Sequence, residues 1–175
     1  AWIFYDIVTR VRFGLGRRIS ASQVDKWTLY KIAQYCDEEV SDGVGGKEAR
    51  YLCDLYITQR TDAWTVLMDL VAIFRGMISW SNNLLSVDAD MPRELDPDFV
   101  FSKSNIIGSF NFSSTSERTN YSAAIVTYSN PANGYNDDQA SVHVQEVSSR
   151  FGFNTMEMTA VGCTRESEAQ RRGLW

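Results

Sequence analysis

The sequence predicts an α+β fold, and three observations carry that prediction. Helix-period stripes and strand-period alternation follow one another through the first ninety residues, residues 100–163 carry recurrent β-branched and aromatic segments, and the last eleven residues are polar and helix-forming. The expected order is helices and a β-α-β-hairpin unit, then a β-rich antiparallel part, then a C-terminal helix. The boundary falls at a proline- and acid-containing stretch, so the expected subdomains are 1–92 and 93–175, interleaving into one domain being the alternative.

Residues 1–9 fit either a helix or a strand, and Arg12-Phe13-Gly14-Leu15-Gly16 punctuates them. A helix is expected from Ser22 to Glu39, with Ser22 as N-cap and Val24, Trp27, Leu29, Ile32, Ala33, Cys36 and Val40 as its apolar stripe. Tyr51 to Thr58 alternates like a strand. Thr61 is the expected N-cap of a second helix buried through Ala63, Val66, Leu67, Leu70, Val71 and Phe74, with Gly76 ending it. Met77 to Asp90 reads as a hairpin turning at Asn82-Asn83, which pairs Ser81 with Leu84, Trp80 with Leu85 and Ile78 with Val87. That register puts Trp80 in the core. Met91 to Phe99 is expected to be a linker or crossover. Further strands are expected at Ile106–Ser113, Ser122–Ser129, Ala140–Val147 and Glu157–Cys163, separated by loops 114–120 and 130–138, and a last helix at Arg165–Trp175.

Composition narrows function mainly by exclusion. The chain has 175 residues, 44% of them hydrophobic and 22% charged, ordinary values for a globular protein. No apolar run reaches the ~18 residues of a membrane span. The chain starts at Ala1 without a signal-peptide pattern and stops at Trp175 inside an expected helix, so a segment of a longer protein is expected. The net charge of −5 argues against nucleic-acid binding. Cys36, Cys53 and Cys163 form no C-x-x-C pair and are expected to be buried thiols rather than disulfide or zinc ligands.

Candidate chemistry is sparse. His143, the single histidine, sits on the polar side of an expected strand with no partner in sequence, so a surface or inter-subunit position is expected. Asp88, Asp90, Glu94, Asp96 and Asp98 could supply a glycosidase pair or a calcium shell, and a solvated acidic linker is the simpler reading. Asn136-Asp137-Asp138 lacks EF-hand spacing and reads as a turn. Gly14-Leu15-Gly16-Arg17-Arg18 lacks phosphate-loop spacing, and Ser114 to Arg118 lacks a hydrolase elbow. Arg171 and Arg172 are expected to favour a helix C-terminus. Phe110, Phe112, Tyr121 and Tyr128 stand at strand spacing; packing between sheets is expected, with a stacking platform as the alternative. No catalytic, cofactor-binding or metal-ligating residue is assigned.

A set of local phrases says more. They are Trp2-Ile3-Phe4-Tyr5-Asp6, Arg12-Phe13-Gly14-Leu15-Gly16, Val24-Asp25-Lys26-Trp27, Tyr35-Cys36-Asp37-Glu38, Asp42-Gly43-Val44-Gly45-Gly46, Phe74-Arg75-Gly76-Met77, Gly162-Cys163-Thr164 and Ala169-Gln170-Arg171-Arg172-Gly173. Their order and wording resemble the central region of the lambda-type phage tail tip proteins, the host specificity protein J family. The resemblance is densest between Arg12 and Pro92. It implies a structural hub module of a phage or prophage tail tip, similar to the baseplate hubs of contractile tails, located in the virion after synthesis in the host cytoplasm. It implies tube-like or barrel-like β-domains, a homotrimer at the distal end of the tail tube, other tail tip and tube proteins as partners, and support of host attachment and DNA delivery. It implies no cofactor, no catalytic residue and no receptor-binding region in this segment. A cell-surface glycan- or protein-binding module is the alternative, with a cell-wall glycosidase behind it.

Overall fold

The computed structural model describes residues 1–58, 61–92, 100–113 and 120–175. Helix α1 spans Trp2–Thr9, resolving the opening ambiguity in favour of a helix, and buries Phe4 and Val8. Helix α2 spans Lys26–Asp37 and starts later than expected. Its N-cap is Asp25, whose carboxylate accepts from the Trp27 and Thr28 amides, while Ser20 caps a separate short 3-10 turn over Ala21–Gln23. The buried stripe is Leu29, Ile32, Ala33 and Cys36. Trp27, assigned to that stripe from the sequence, is instead 76% exposed, because it stands about 200° round the helix from Leu29.

Strands β1 (Glu39–Ser41) and β2 (Lys47–Ala49) form a small antiparallel hairpin that the sequence did not suggest. Its turn is tied by Asp42, whose Oδ1 accepts from the Val44 and Gly46 amides. The strand expected over Tyr51–Thr58 is extended chain without a ladder. Of the alternate positions Tyr51, Cys53, Leu55 and Ile57, Tyr51 is buried and Cys53 and Leu55 are half-buried, while Ile57 is exposed. The amides of this segment bond singly: Tyr51 to the Cys36 carbonyl, Leu52 to the Glu168 carboxylate and Asp54 to the Gly162 carbonyl.

Helix α3 spans Ala63–Ala72 with Asp62, not Thr61, as the N-cap. Arg75, at φ 57°, takes the left-handed position after it, and Gly76 opens the next strand. Gly76 is required for space: a Cβ there would strike Val71, Phe74 and the Asp88 carbonyl. Strands β3 (Gly76–Ser81) and β4 (Leu84–Ala89) form the expected hairpin in the expected register, with Asn82 and Asn83 both at positive φ. Leu85 and Val87 are buried under α2, and Val24 bridges to Leu85. Trp80 is 49% exposed, so it is not the core anchor that alternation predicted; Ile78 on the same face is half-buried, and burial along β3 fades toward the Asn82-Asn83 turn.

Residues 100–113 contain no strand, contrary to expectation, and Ile107 and Phe112 lie fully in solvent. Beyond them β5 (Ala123–Asn130) is central in a three-stranded sheet ordered β6-β5-β7. Strand β6 (Asn136–His143) pairs antiparallel with β5 and begins four residues earlier than expected. Asn136, Asp137 and Asp138 therefore lie in a strand, and the turn is confined to Pro131–Tyr135. Acids on this edge strand hid it from a hydrophobic pattern. Helix α4 (Gln145–Phe151) replaces the end of the expected strand and carries the chain across to β7 (Thr155–Thr159) on the other side of β5. Strand β7 consequently runs parallel to β5, not antiparallel. Buried Ser122 ties this end together: its carbonyl accepts from Val144, and its amide and hydroxyl exchange bonds with Asn154.

Helix α5 (Glu166–Leu174) lies across β5 and β6. A Cβ on Gly173 would meet Val142 and Val126, so glycine permits the close approach. The architecture is α+β with a C-terminal helix, and the sheet among the described residues is open rather than a closed barrel. One apolar cluster unites α1, α2, α3, Tyr51 and the β3–β4 hairpin; a second unites the β6-β5-β7 sheet with α5.

Candidate functional site

The densest polar constellation among the described residues joins α5 to residues 38–54. Glu168 is fully buried, and its Oε1 meets Arg172 at 2.6 Å. Its Oε2 accepts from Arg165 at 2.6 Å and from the Leu52 amide at 3.3 Å. Glu48, on β2, accepts at Oε1 from Ser167 and Arg171, each at 2.6 Å, and its Oε2 pairs with Arg165 at 3.0 Å. Arg165 also reaches the Ala49 carbonyl, Arg171 those of Ser41 and Arg50, and Arg172 that of Val161. Thr164 donates to Asp54 alongside.

Further arginines border the constellation. Arg50 pairs with Glu38 at 2.7 Å and stacks 4.4 Å above the Tyr35 ring. Arg75 lies over Trp175 at 4.7 Å and donates to the Arg171 carbonyl, while the Trp175 indole donates to Asp90. Burial alone would raise the Glu48 pKa, but the Ser167 hydroxyl and the Arg171 and Arg165 guanidiniums outweigh it and hold the carboxyl below its ordinary range. Every carboxylate oxygen of Glu48 and Glu168 is already engaged by the protein. Neither is available as a general base or a ligand, and the arrangement is chemically a clasp between the two apolar clusters.

The sequence-derived candidates do not converge. His143 is exposed at the end of β6, with Nε2 2.9 Å from the Ser148 hydroxyl and its ring against Phe153. Asp88 lies in β4 and Asp90 just past its end, Asp90 serving the Trp175 indole; Glu94, Asp96 and Asp98 lie outside the described residues, as does the Ser114–Arg118 segment. Asp138 is held below its ordinary range by the Asn130 side-chain amide and the Gln139 backbone amide. No group of His, Cys, Asp or Glu among the described residues is placed to hold a metal. Burial pushes the thiols up, Cys36 to about 11, and Cys53 and Cys163 in the same direction. Arg171 and Arg172, read from the sequence as helix-end cations, are clasp residues. Glu168 and Arg172 at i, i+4 were the available signal; Glu48 had none, being 119 residues from its Ser167 partner.

The aromatic expectation fails at three of its four residues. Tyr128 is buried between sheet and α5, but Phe110, Phe112 and Tyr121 are exposed, and Phe110 and Phe112 stack on each other. Further exposed aromatics sit on the first half, where Trp2 touches Tyr30 beside Trp27. No helix is long and apolar enough to cross a membrane among the described residues.

Comparison with known proteins places this fold. A protein family described as "Putative phage tail protein" matches residues 62–175, well over half of the chain, and the chain belongs to that family. Among individual relatives, Tip attachment protein J of Escherichia phage SECphi4 is 49% identical over 175 residues, covering 100% of this chain and 15% of its own length. Tip attachment protein J of Escherichia phage SECphi27 is 45% identical over 176 residues, again covering 100% of this chain and 15% of its own length. The chain thus spans about 15% of the length of these curated relatives.

Proposed function

We propose that this chain is a structural segment of a phage or prophage tail tip, a hub module of the virion that supports host attachment and DNA delivery. Similarity along the whole chain to two tip attachment proteins carries this reading. The site agrees with it: the charged residues that converge are used up in holding the fold, as suits a part that bears contacts rather than turns over substrate. In this reading the full-length protein is a homotrimer contacting other tail tip and tube proteins, with residues 1–92 and 93–175 as two subdomains joined by the α5 clasp. The open outer edges of β6 and β7 suit ring contacts.

The module is non-enzymatic. Incubated with peptidoglycan and common polysaccharides, it should release no sugar, and turnover abolished by changing Asp88 or Asp90 would replace the structural reading. The placement is tested by electron microscopy of virions labelled with antibodies to this chain. Label at the tail tip is expected, and label on the capsid or no label overturns it. Light scattering on the longer protein should give three times the chain mass.

A second reading has one observation in its favour. The exposed Phe110–Phe112 stack would suit a glycan face. Saturable binding of a surface polysaccharide, lost on Phe112→Ala, would support it.

A further inference from the structure

The chain is acidic overall, yet one short segment is wholly basic. No acid lies between Asp6 and Asp25, and Arg10, Arg12, Arg17 and Arg18 fall inside that interval. The remaining 13 of the 17 basic residues face 22 acids. Arg10 is paired with Asp6 at 2.8 Å; Arg12, Arg17 and Arg18 are exposed and have no carboxylate partner among the described residues. Arg12 stands 5.0 Å over the ring of Phe13, which is 76% exposed.

This loop is held firmly. The Leu15 amide bonds to the Ile7 carbonyl, Gly16 to Arg10, and both Arg18 and Ile19 to Leu15. Gly14 and Gly16 press so closely on the last turn of α1 that a Cβ on either would run into the Ile7 or Thr9 carbonyl oxygen. A loop fixed before binding loses less entropy on binding. An arginine over an exposed aromatic, with two more arginines in the same loop, has the composition favoured at protein interfaces. A duplex phosphate contact would have no use for Phe13.

A surface of opposite chemistry exists on the same chain. The exposed face of α3 presents Trp64 and Met68, flanked by Asp62 and Asp69. Asp69 has no ion-pair partner among the described residues. We propose that the Arg12-Phe13-Arg17-Arg18 loop of one copy docks on the Asp62-Trp64-Met68-Asp69 face of α3 in a second copy. The two patches differ, so the contact is head-to-tail and repeats around a ring. Closure with three copies rests on the homotrimer reading above; the loop–α3 contact does not.

Sedimentation of the 175-residue chain at rising concentration, in low and high salt, tests this. Association that weakens with salt is expected, reduced at least tenfold by R12E/R17E/R18E and by D69R. Mixing those two variants should restore a dimer, since each keeps the patch the other lacks. A chain that stays monomeric at low salt overturns the contact. Association indifferent to these substitutions also overturns it, and leaves a trimer built on other residues standing. Duplex DNA binding lost in R12E/R17E/R18E would assign the loop to nucleic acid instead. Circular dichroism of each variant should match wild type, because the three arginines are exposed and Asp69 is only half-buried.

Discussion

The Glu168 carboxylate meets the Arg172 guanidinium at 2.6 Å one turn along α5, with both side chains buried. Removing one member strands the other. Glu168→Ala takes the carboxylate from Arg172, which keeps only the Val161 carbonyl, and the acceptor from the Leu52 amide, and should cost about 3–5 kcal/mol, the range for breaking a buried pair from one side. Urea unfolding checks this, and a loss under 1 kcal/mol would show that the clasp does not hold the two clusters together.

Acid should open the same clasp through Glu48. Its folded pKa is depressed, so its contribution is complete above the ordinary carboxylate range, about pH 4.3, and fades as pH falls through the lowered folded value. Stability between pH 7 and 3 should therefore fall more steeply in wild type than in Glu48→Gln. Parallel curves would remove Glu48 from the acid response.

Trp80 and Leu85 face each other across the β3–β4 hairpin but should differ in weight. Leu85→Ala empties a buried position and should cost about 2–5 kcal/mol. Trp80→Ala should cost about 1–2 kcal/mol, less than a buried aromatic, because about half its surface is already in water. Equal losses in denaturant titration would contradict this asymmetry.

Gly14→Ala should destabilise by about 1–3 kcal/mol, since the added methyl overpacks against backbone that a rotamer change cannot clear. Gly43→Ala is the control: no atom is near its Cβ, but φ is +83°, so only backbone strain of about 1 kcal/mol is expected. A smaller loss at Gly14 than at Gly43 would mean that the loop gives way.

Cys36 should resist thiol reagents at pH 8. Desolvation pushes its pKa to about 11, leaving very little thiolate, and the side chain is buried. Labelling with a chromogenic disulfide should become rapid only in denaturant; fast native labelling traced to Cys36 would contradict its burial.

The parts legible in the sequence are those whose evidence is local. Asn82-Asn83 and the alternation around them agree on one register, and the β3–β4 hairpin follows it. The stripe of α3 is likewise local, though Ala63 at its start is exposed. Trp27 falls outside the stripe because it stands off the buried face of its own helix, and Trp80 because alternation assigns a face without saying how far burial runs along it. Strand β7 was placed in the wrong sense because a short polar helix, α4, stood where a strand was expected and moved the chain to the far side of β5. The clasp was illegible because its partners come from opposite ends of the sequence, and arginine or glutamate in isolation reads as surface.

That separation sets a schedule during synthesis. Glu48 precedes Ser167 by 119 residues, and a ribosome adding about 5–20 residues per second needs roughly 6–24 s to cover that span. Through this interval the Glu48 carboxylate and the carbonyls of Ser41, Ala49 and Arg50 have only water where the α5 arginines will stand. The nascent first half can collapse on its own apolar cluster, but it locks only when the helix carrying residues 165–172 emerges, so a ribosome that pauses late leaves an unlatched intermediate for chaperones and proteases to meet.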